Sequence, residues 1–156
     1  HVNMVLEVDN ELGMVTIDSG MIQQTIVNLI YNAADALNED GNQGARGEVT
    51  IRTQKLKTGR ALIAVSDNGP GVPEEKRETL FTERFTTKPK GHGIGLITCA
   101  KIIEAHSGRI SYEEGPQGGA SFVIEIPLRQ PEMTRTDTQP LALGPKSPRR
   151  TLPARS

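Results

Sequence analysis

The chain has 156 residues, of which 35% are hydrophobic, 24% charged and 3% aromatic, with no tryptophan. That length supports one domain with an aliphatic core, and no apolar run approaches the roughly 20 residues of a membrane helix. The net charge of −1 hides an asymmetry, because residues 1–128 carry 12 Lys+Arg against 17 Asp+Glu and residues 129–156 carry 6 against 2. The acidic part therefore has no basic platform for nucleic acid. The chain opens on His1 without an initiator methionine, so it reads as a piece of a longer protein. A lone Cys99 excludes an intrachain disulfide and a multi-cysteine metal site. It fits a reducing, cytoplasmic setting, whether or not the parent protein is membrane-anchored.

In chain order, Asn3–Val8 and Met14–Ile17 have the pattern of two short strands joined by the turn-prone Asp9-Asn10-Glu11. Ser19 stands where a helix N-cap belongs, ahead of a periodic stretch from Met21 to Asn38. Ile22, Ile26, Leu29, Ala33 and Leu37 recur there at helical steps and form one apolar face. Residues 39–47 form a polar loop, followed by strands near Glu48–Leu56 and Arg60–Asp67 with Thr58-Gly59 as their turn. A loop broken by glycine and proline then leads to a short helical piece at Glu74–Phe81. A second strong helix is expected from Ile94 to His106, stopped by Ser107-Gly108. The last two strands, near Arg109–Glu114 and Ala120–Pro127, flank a glycine-rich hairpin turn. This uneven order does not describe repeating βαβ units. It predicts an α+β sandwich, a mixed sheet covered by helices on one face. Residues 129–156 hold five of the ten prolines and little apolar periodicity, so they read as a basic, disordered tail after a domain spanning 1–128.

Three constellations carry chemistry. Asn28 and Asn32 lie four residues apart on the first long helix, so both amides project from one side, next to the apolar stripe. A carboxamide oxygen suits Mg²⁺ that is already surrounded by phosphate oxygens and water, and the same spacing also suits a pair of solvated amides. Asp67-Asn68-Gly69-Pro70-Gly71 closes a strand. A carboxylate there can accept a hydrogen bond from an exocyclic amine such as that of adenine, and glycines let backbone approach a flat ring. It equally describes a common turn. Gly91-His92-Gly93-Ile94-Gly95-Leu96 opens the second helix, where backbone N–H groups and the helix dipole favour phosphate. No strand pattern precedes it, as a dinucleotide-binding unit requires, and no Gly-Lys-Ser/Thr occurs anywhere.

Taken together and in this order, these residues resemble a known family. Asn28–Ala33 resembles the N box of sensor histidine kinases, Asp67–Gly71 the first glycine box, Leu80-Phe81 through Phe85-Thr86-Thr87-Lys88 the phenylalanine box, and Gly91–Leu96 the second glycine box. His106-Ser107-Gly108-Arg109-Ile110 and Gly118-Gly119-Ala120-Ser121-Phe122 complete a likeness that covers roughly residues 1–128. The phenylalanine box is most similar to that of nitrogen-regulation kinases. The resemblance implies the Bergerat ATP-binding sandwich shared with DNA gyrase, heat-shock chaperones and mismatch-repair ATPases, with ATP and Mg²⁺ as ligands. It implies that Asn32 holds Mg²⁺, that Asn28 acts with it at the phosphates, and that Asp67 recognises the adenine amine in a pocket shaped by Gly69, Gly71 and Val72. Residues 82–93 would form an ATP lid, with Phe85, Thr86, Thr87, Lys88, Gly91, His92, Gly93, Ile94, Gly95 and Leu96 lining the nucleotide. Asp35 belongs to the same set but departs from the family, which often has a basic residue there. Ser107-Gly108 replaces a frequent double glycine.

The implied activity is transfer of the ATP γ-phosphoryl group to a histidine on a separate dimerisation domain, which then serves a response regulator. In the family that histidine is usually followed by an acidic residue, and none of His1, His92 and His106 is. The fragment is accordingly expected to be a monomer that lacks its own acceptor. Hydrolases of the same fold place a glutamate four residues before the Mg²⁺ asparagine as a general base, where this chain has Asn28. A serine-phosphorylating relative and a non-catalytic nucleotide sensor are the other readings of this fold.

Overall fold

The computed structural model describes residues 2–39, 46–83, 93–116 and 118–129. A five-stranded mixed sheet carries the fold, with strand order β1-β2-β3-β5-β4. The strands are β1 (Val2–Glu7), β2 (Gly47–Lys55), β3 (Arg60–Asp67), β4 (Arg109–Glu114) and β5 (Ala120–Pro127). β1 runs parallel to β2, and every other neighbouring pair is antiparallel. The long helix α1 (Ser19–Glu39) packs on β2 and β3, α3 (Gly95–Ala105) packs on β4 and against α1, and a single turn, α2 (Glu74–Arg77), follows β3. This is the α+β sandwich expected from the sequence.

Alternation along the strands decides which residues meet the helices. Ala61, Ile63 and Val65 of β3 stand opposite Ile126, Ile124 and Phe122 of β5, and Val65 and Asp67 stand opposite Ile51 and Val49 of β2. These positions share the helix-facing side, where they join Ile22, Leu29 and Ala33 of α1, Leu80, and Leu96, Cys99 and Ile103 of α3 in one core. Asp67 thus ends a file of buried aliphatic residues and lies on the covered face of the sheet. With so few aromatic residues, one cluster fills the end of the core beside α2. Phe122 makes edge contacts with Phe81 at 6.2 Å and Tyr112 at 6.0 Å between ring centroids.

Two expectations are corrected. Met14–Ile17 forms no strand, because the segment passes the end of the sheet, where Thr16 N–H donates to the Leu128 carbonyl at 3.4 Å, instead of running along the open edge of β1. The α1 cap is Asp18 rather than Ser19. The Asp18 carboxylate accepts the Met21 N–H at 3.1 Å and its carbonyl accepts the Ile22 N–H at 3.1 Å, so a charged acceptor faces the positive end of the helix.

α3 ends in a Schellman arrangement. Gly108 N–H reaches back to the Ile103 carbonyl and Ser107 N–H to the Glu104 carbonyl, each at 2.9 Å. Ser107 takes the left-handed position of this motif with φ 55°. Beside it, His106 is buried and ties the two helices together. Its Nδ1–H donates to the Ile102 carbonyl at 2.7 Å, and its Nε2 accepts the Asp18 N–H at 3.1 Å. A carbonyl can only accept and an amide N–H can only donate, so these partners fix the neutral Nδ1–H tautomer.

Candidate active site

The site begins where β3 stops. Asp67 is 5% exposed, and its Oδ1 accepts the N–H groups of Gly69 at 2.9 Å and Ala120 at 3.2 Å. Its Oδ2 accepts from no donor among the described residues. Burial pushes the carboxyl above the ordinary value of 3.8, and the two backbone donors pull partly back. A β-carbon at Gly119 would overlap the Asp67 carbonyl, and one at Gly71, where φ is 73°, would stand 3.2 Å from the Gly118 carbonyl oxygen. The chain ahead of β5 is therefore pressed against the end of β3, which is how Ala120 comes to hold the carboxylate. Asn68 fastens the other flank, accepting the Glu48 N–H at 2.7 Å and donating to the Arg46 carbonyl at 3.1 Å.

Helix α1 connects this pocket with the third constellation. A β-carbon at Gly69 would lie 3.4 Å from Leu37 Cδ2 and 3.8 Å from Ala36 Cβ, so the loop after Asp67 rests on the last turns of α1. Two turns earlier, the Asn28 amide approaches the start of α3, with Nδ2 3.9 Å from where a Gly95 β-carbon would be. The same Nδ2 donates to Cys99 Sγ at 3.8 Å, and the Cys99 thiol donates to the Thr25 carbonyl at 3.9 Å. Burial keeps that thiol above its usual range, in the protonated form that can donate. Asn32 lies between the two ends, half-buried, with its amide unpartnered among the described residues. Asp35 follows on the same side of the helix and is also half-buried.

The eight steps from Asn28 to Ala36 span roughly 12 Å of helix at about 1.5 Å each, about the distance from the base of a nucleoside triphosphate to its terminal phosphates. At the far end, α3 begins without a side-chain cap, so its first N–H groups are available to an anion. Gly93, with φ 65°, Ile94 and Gly95 lead into that turn, while Leu96 points into the core. No group of three His, Cys, Asp or Glu side chains suited to a metal occurs among the described residues. A cation here would take its ligands from the Asn32 amide, phosphate and water, which is the oxygen set Mg²⁺ favours.

Phe85, Thr86, Thr87, Lys88, Gly91 and His92 lie outside the described residues. Sequence reasoning gave no bracing role at the site to Ala120, Gly119, Thr25, Cys99, Arg77 or Tyr112. Only the paired Gly118-Gly119 ahead of a strand signalled a close backbone approach.

The family described as histidine kinase-, DNA gyrase B- and HSP90-like ATPase matches residues 17–130. This chain belongs to that family. The catalytic domain of histidine kinase ThkA superposes with a TM-score of 0.68 at 35% identity, covering 83% of this chain and 80% of that one. The structure of ThkA in complex with the response regulator TrrA matches with a TM-score of 0.63 at 33% identity, over 81% of this chain and 34% of that one. Signal transduction histidine-protein kinase AtoS of Escherichia coli (strain K12) is 33% identical over 127 residues, 81% of this chain but only 20% of AtoS. The chain is thus a histidine kinase catalytic domain by homology, and it spans about a fifth of the length of that curated relative. Asp67, at the covered end of the central strand β3, and the uncapped start of α3 thus lie near opposite ends of the Asn28–Ala36 stretch of α1. No helix among the described residues is long and apolar enough to cross a membrane.

Proposed function

We propose that this domain binds ATP with Mg²⁺ and transfers the γ-phosphoryl group to a histidine on the dimerisation domain of its parent protein, from which a response regulator is served. Asp67 Oδ2 accepts the adenine amine, Val72 and the glycines Gly69 and Gly71 wall the base, and the Asn28–Asn32 side of α1 faces the phosphates. Asn32 supplies an amide oxygen to Mg²⁺, which when bound neutralises charge on the phosphates. Phosphoryl transfer asks little covalent chemistry of the protein, so positioning is the main task of these side chains.

The observation that carries a transferase over a hydrolase is Asn28. Hydrolases of this fold keep a glutamate at that place to activate water, and an amide that donates to Cys99 Sγ cannot take a proton. The response-regulator partner is supported by the ThkA–TrrA complex. His106 is no acceptor, since both ring nitrogens are engaged with Ile102 and Asp18 in the core. A monomer in isolation follows from assigning dimerisation to the other domain.

Radiolabelled ATP tests the proposal with this chain alone, with the parent's dimerisation domain alone, and with both. Acid-labile label on the added domain, present only in the mixture, is the expected result. Rapid ATP turnover by this chain alone, without transfer, would establish the hydrolase reading instead.

A further inference from the structure

A loop that walls a base pocket has to keep its shape, and the residues after Asp67 have few bonds of their own for that purpose. Pro70 has no N–H to give, and Gly71 sits in the left-handed region. The backbone of the next residue is held from outside the loop. Val72 N–H donates to the Tyr112 hydroxyl at 3.4 Å, and the Val72 carbonyl accepts Arg77 Nε–H at 2.9 Å. Arg77 Nη2 also meets Glu114 Oε1 at 2.9 Å, and its guanidinium carbon lies 5.4 Å above the centre of the Tyr112 ring. Tyr112 in turn packs on Phe122, so the arrangement is anchored in the core. Side chains from α2 and β4 therefore hold the N–H and the carbonyl of a single loop residue, and with them the peptides on either side of it.

We propose that Arg77, together with Tyr112, is a positioning residue that sets the width of the base pocket and thereby favours adenine over guanine. This rests on the reading of Asp67 as the acceptor for the adenine amine. Guanine presents a carbonyl where adenine presents that amine, so it is accommodated only if it can shift away from the carboxylate. A Val72 backbone held at both its N–H and its carbonyl denies it that shift. The task needs a planar group that donates to a carbonyl, pairs with a carboxylate and stacks on a ring at once, which an ammonium on a flexible stem cannot do.

The test is the affinity of the full 156-residue chain for ATP, ADP and GTP, measured by calorimetry for the parent, Arg77→Gln, Arg77→Lys and Tyr112→Phe. Arg77→Gln is expected to weaken ATP and ADP by the same factor, roughly three- to tenfold, the scale of one or two lost hydrogen bonds. GTP should change less, so that the ATP/GTP ratio narrows. Arg77→Lys should not restore the ratio, and Tyr112→Phe, which removes only the hydroxyl, should shift it in the same direction by less. Variants that melt earlier yet keep the parent's affinities and ratio would overturn the proposal and leave Arg77 a merely structural residue. A loss confined to ATP and sparing ADP would also overturn it, by placing the effect at the phosphates. If Arg77→Gln fails to fold, the Tyr112→Phe ratio decides. A parent chain that binds none of the three nucleotides refutes the base-pocket reading itself and the clamp with it, whereas a parent that prefers ATP alongside unchanged variants refutes the clamp alone.

Discussion

The two oxygens of the Asp67 carboxylate have different surroundings, and this makes a substitution there informative. Oδ1 is satisfied by Gly69 and Ala120, while Oδ2 meets no described donor. In Asp67→Asn the amide oxygen can keep both backbone bonds, which turns the NH₂ group outward, donor against donor, toward an adenine amine. ATP affinity is expected to fall by about 1.5–3 kcal/mol, or roughly ten- to a hundredfold. The folded chain should nevertheless be as stable at neutral pH as the parent, or more so, because burial makes the ionised carboxylate unfavourable. The sign follows from linkage. A carboxyl whose folded pKa lies above its unfolded value of 3.8 gives stability that is full below that value and is lost as pH rises through the folded pKa. Binding to an amine runs the other way and weakens as acid protonates Asp67. Calorimetry from neutral pH down into the carboxylate range should show this loss in the parent and lack that step in Asp67→Asn. Unchanged ATP affinity in a folded Asp67→Asn would remove the adenine assignment.

At the scale of elements, both long helices are held at ends that the site does not use. The start of α1 and the end of α3 meet through the Asp18 N–H to His106 Nε2 bond, at the ends away from Asn28 and Gly95. The α3 terminus also stores a local strain. Ser107 is exposed and holds φ 55°, a conformation that costs a residue bearing a β-carbon on the order of 1 kcal/mol and glycine little. Ser107→Gly keeps the Schellman bonds, which are made by backbone atoms, and offsets part of its gain through a freer unfolded chain. A net stabilisation of about 0.5 kcal/mol is expected as a higher urea midpoint at unchanged slope. A lower midpoint would show that the serine hydroxyl does more than fill the turn.

At the scale of the molecule, we propose that the folding unit ends shortly after β5. Leu128 closes the sheet by donating its N–H to the Gly59 carbonyl at 3.1 Å, and the family match stops at residue 130. Deleting residues 131–156 should leave the unfolding midpoint and ATP affinity within error of the full chain, because the core elements named above all precede that point. A loss of cooperativity on deletion would show that the basic segment contributes to the fold.

The sequence alone determined the element types and, through the spacing of its asparagines and glycines, which residues to suspect. Such patterns are local, since a helix repeats its apolar face within a few residues and a glycine turn is written in adjacent letters. It misjudged Met14–Ile17, because an alternating pattern does not say whether the segment will run beside a strand edge, and it chose Ser19 over Asp18 because either residue can cap. Tertiary structure decided what surrounds each suspected residue. Gly69 and Ala120 are far apart in sequence, yet they share one oxygen of Asp67. Arg77 and Tyr112 meet on Val72 only because β4 lies at the sheet edge beside α2. Hydrogen bonds and burial between distant segments depend on how strands order and helices dock, and that information is spread over the whole chain rather than carried by any one motif.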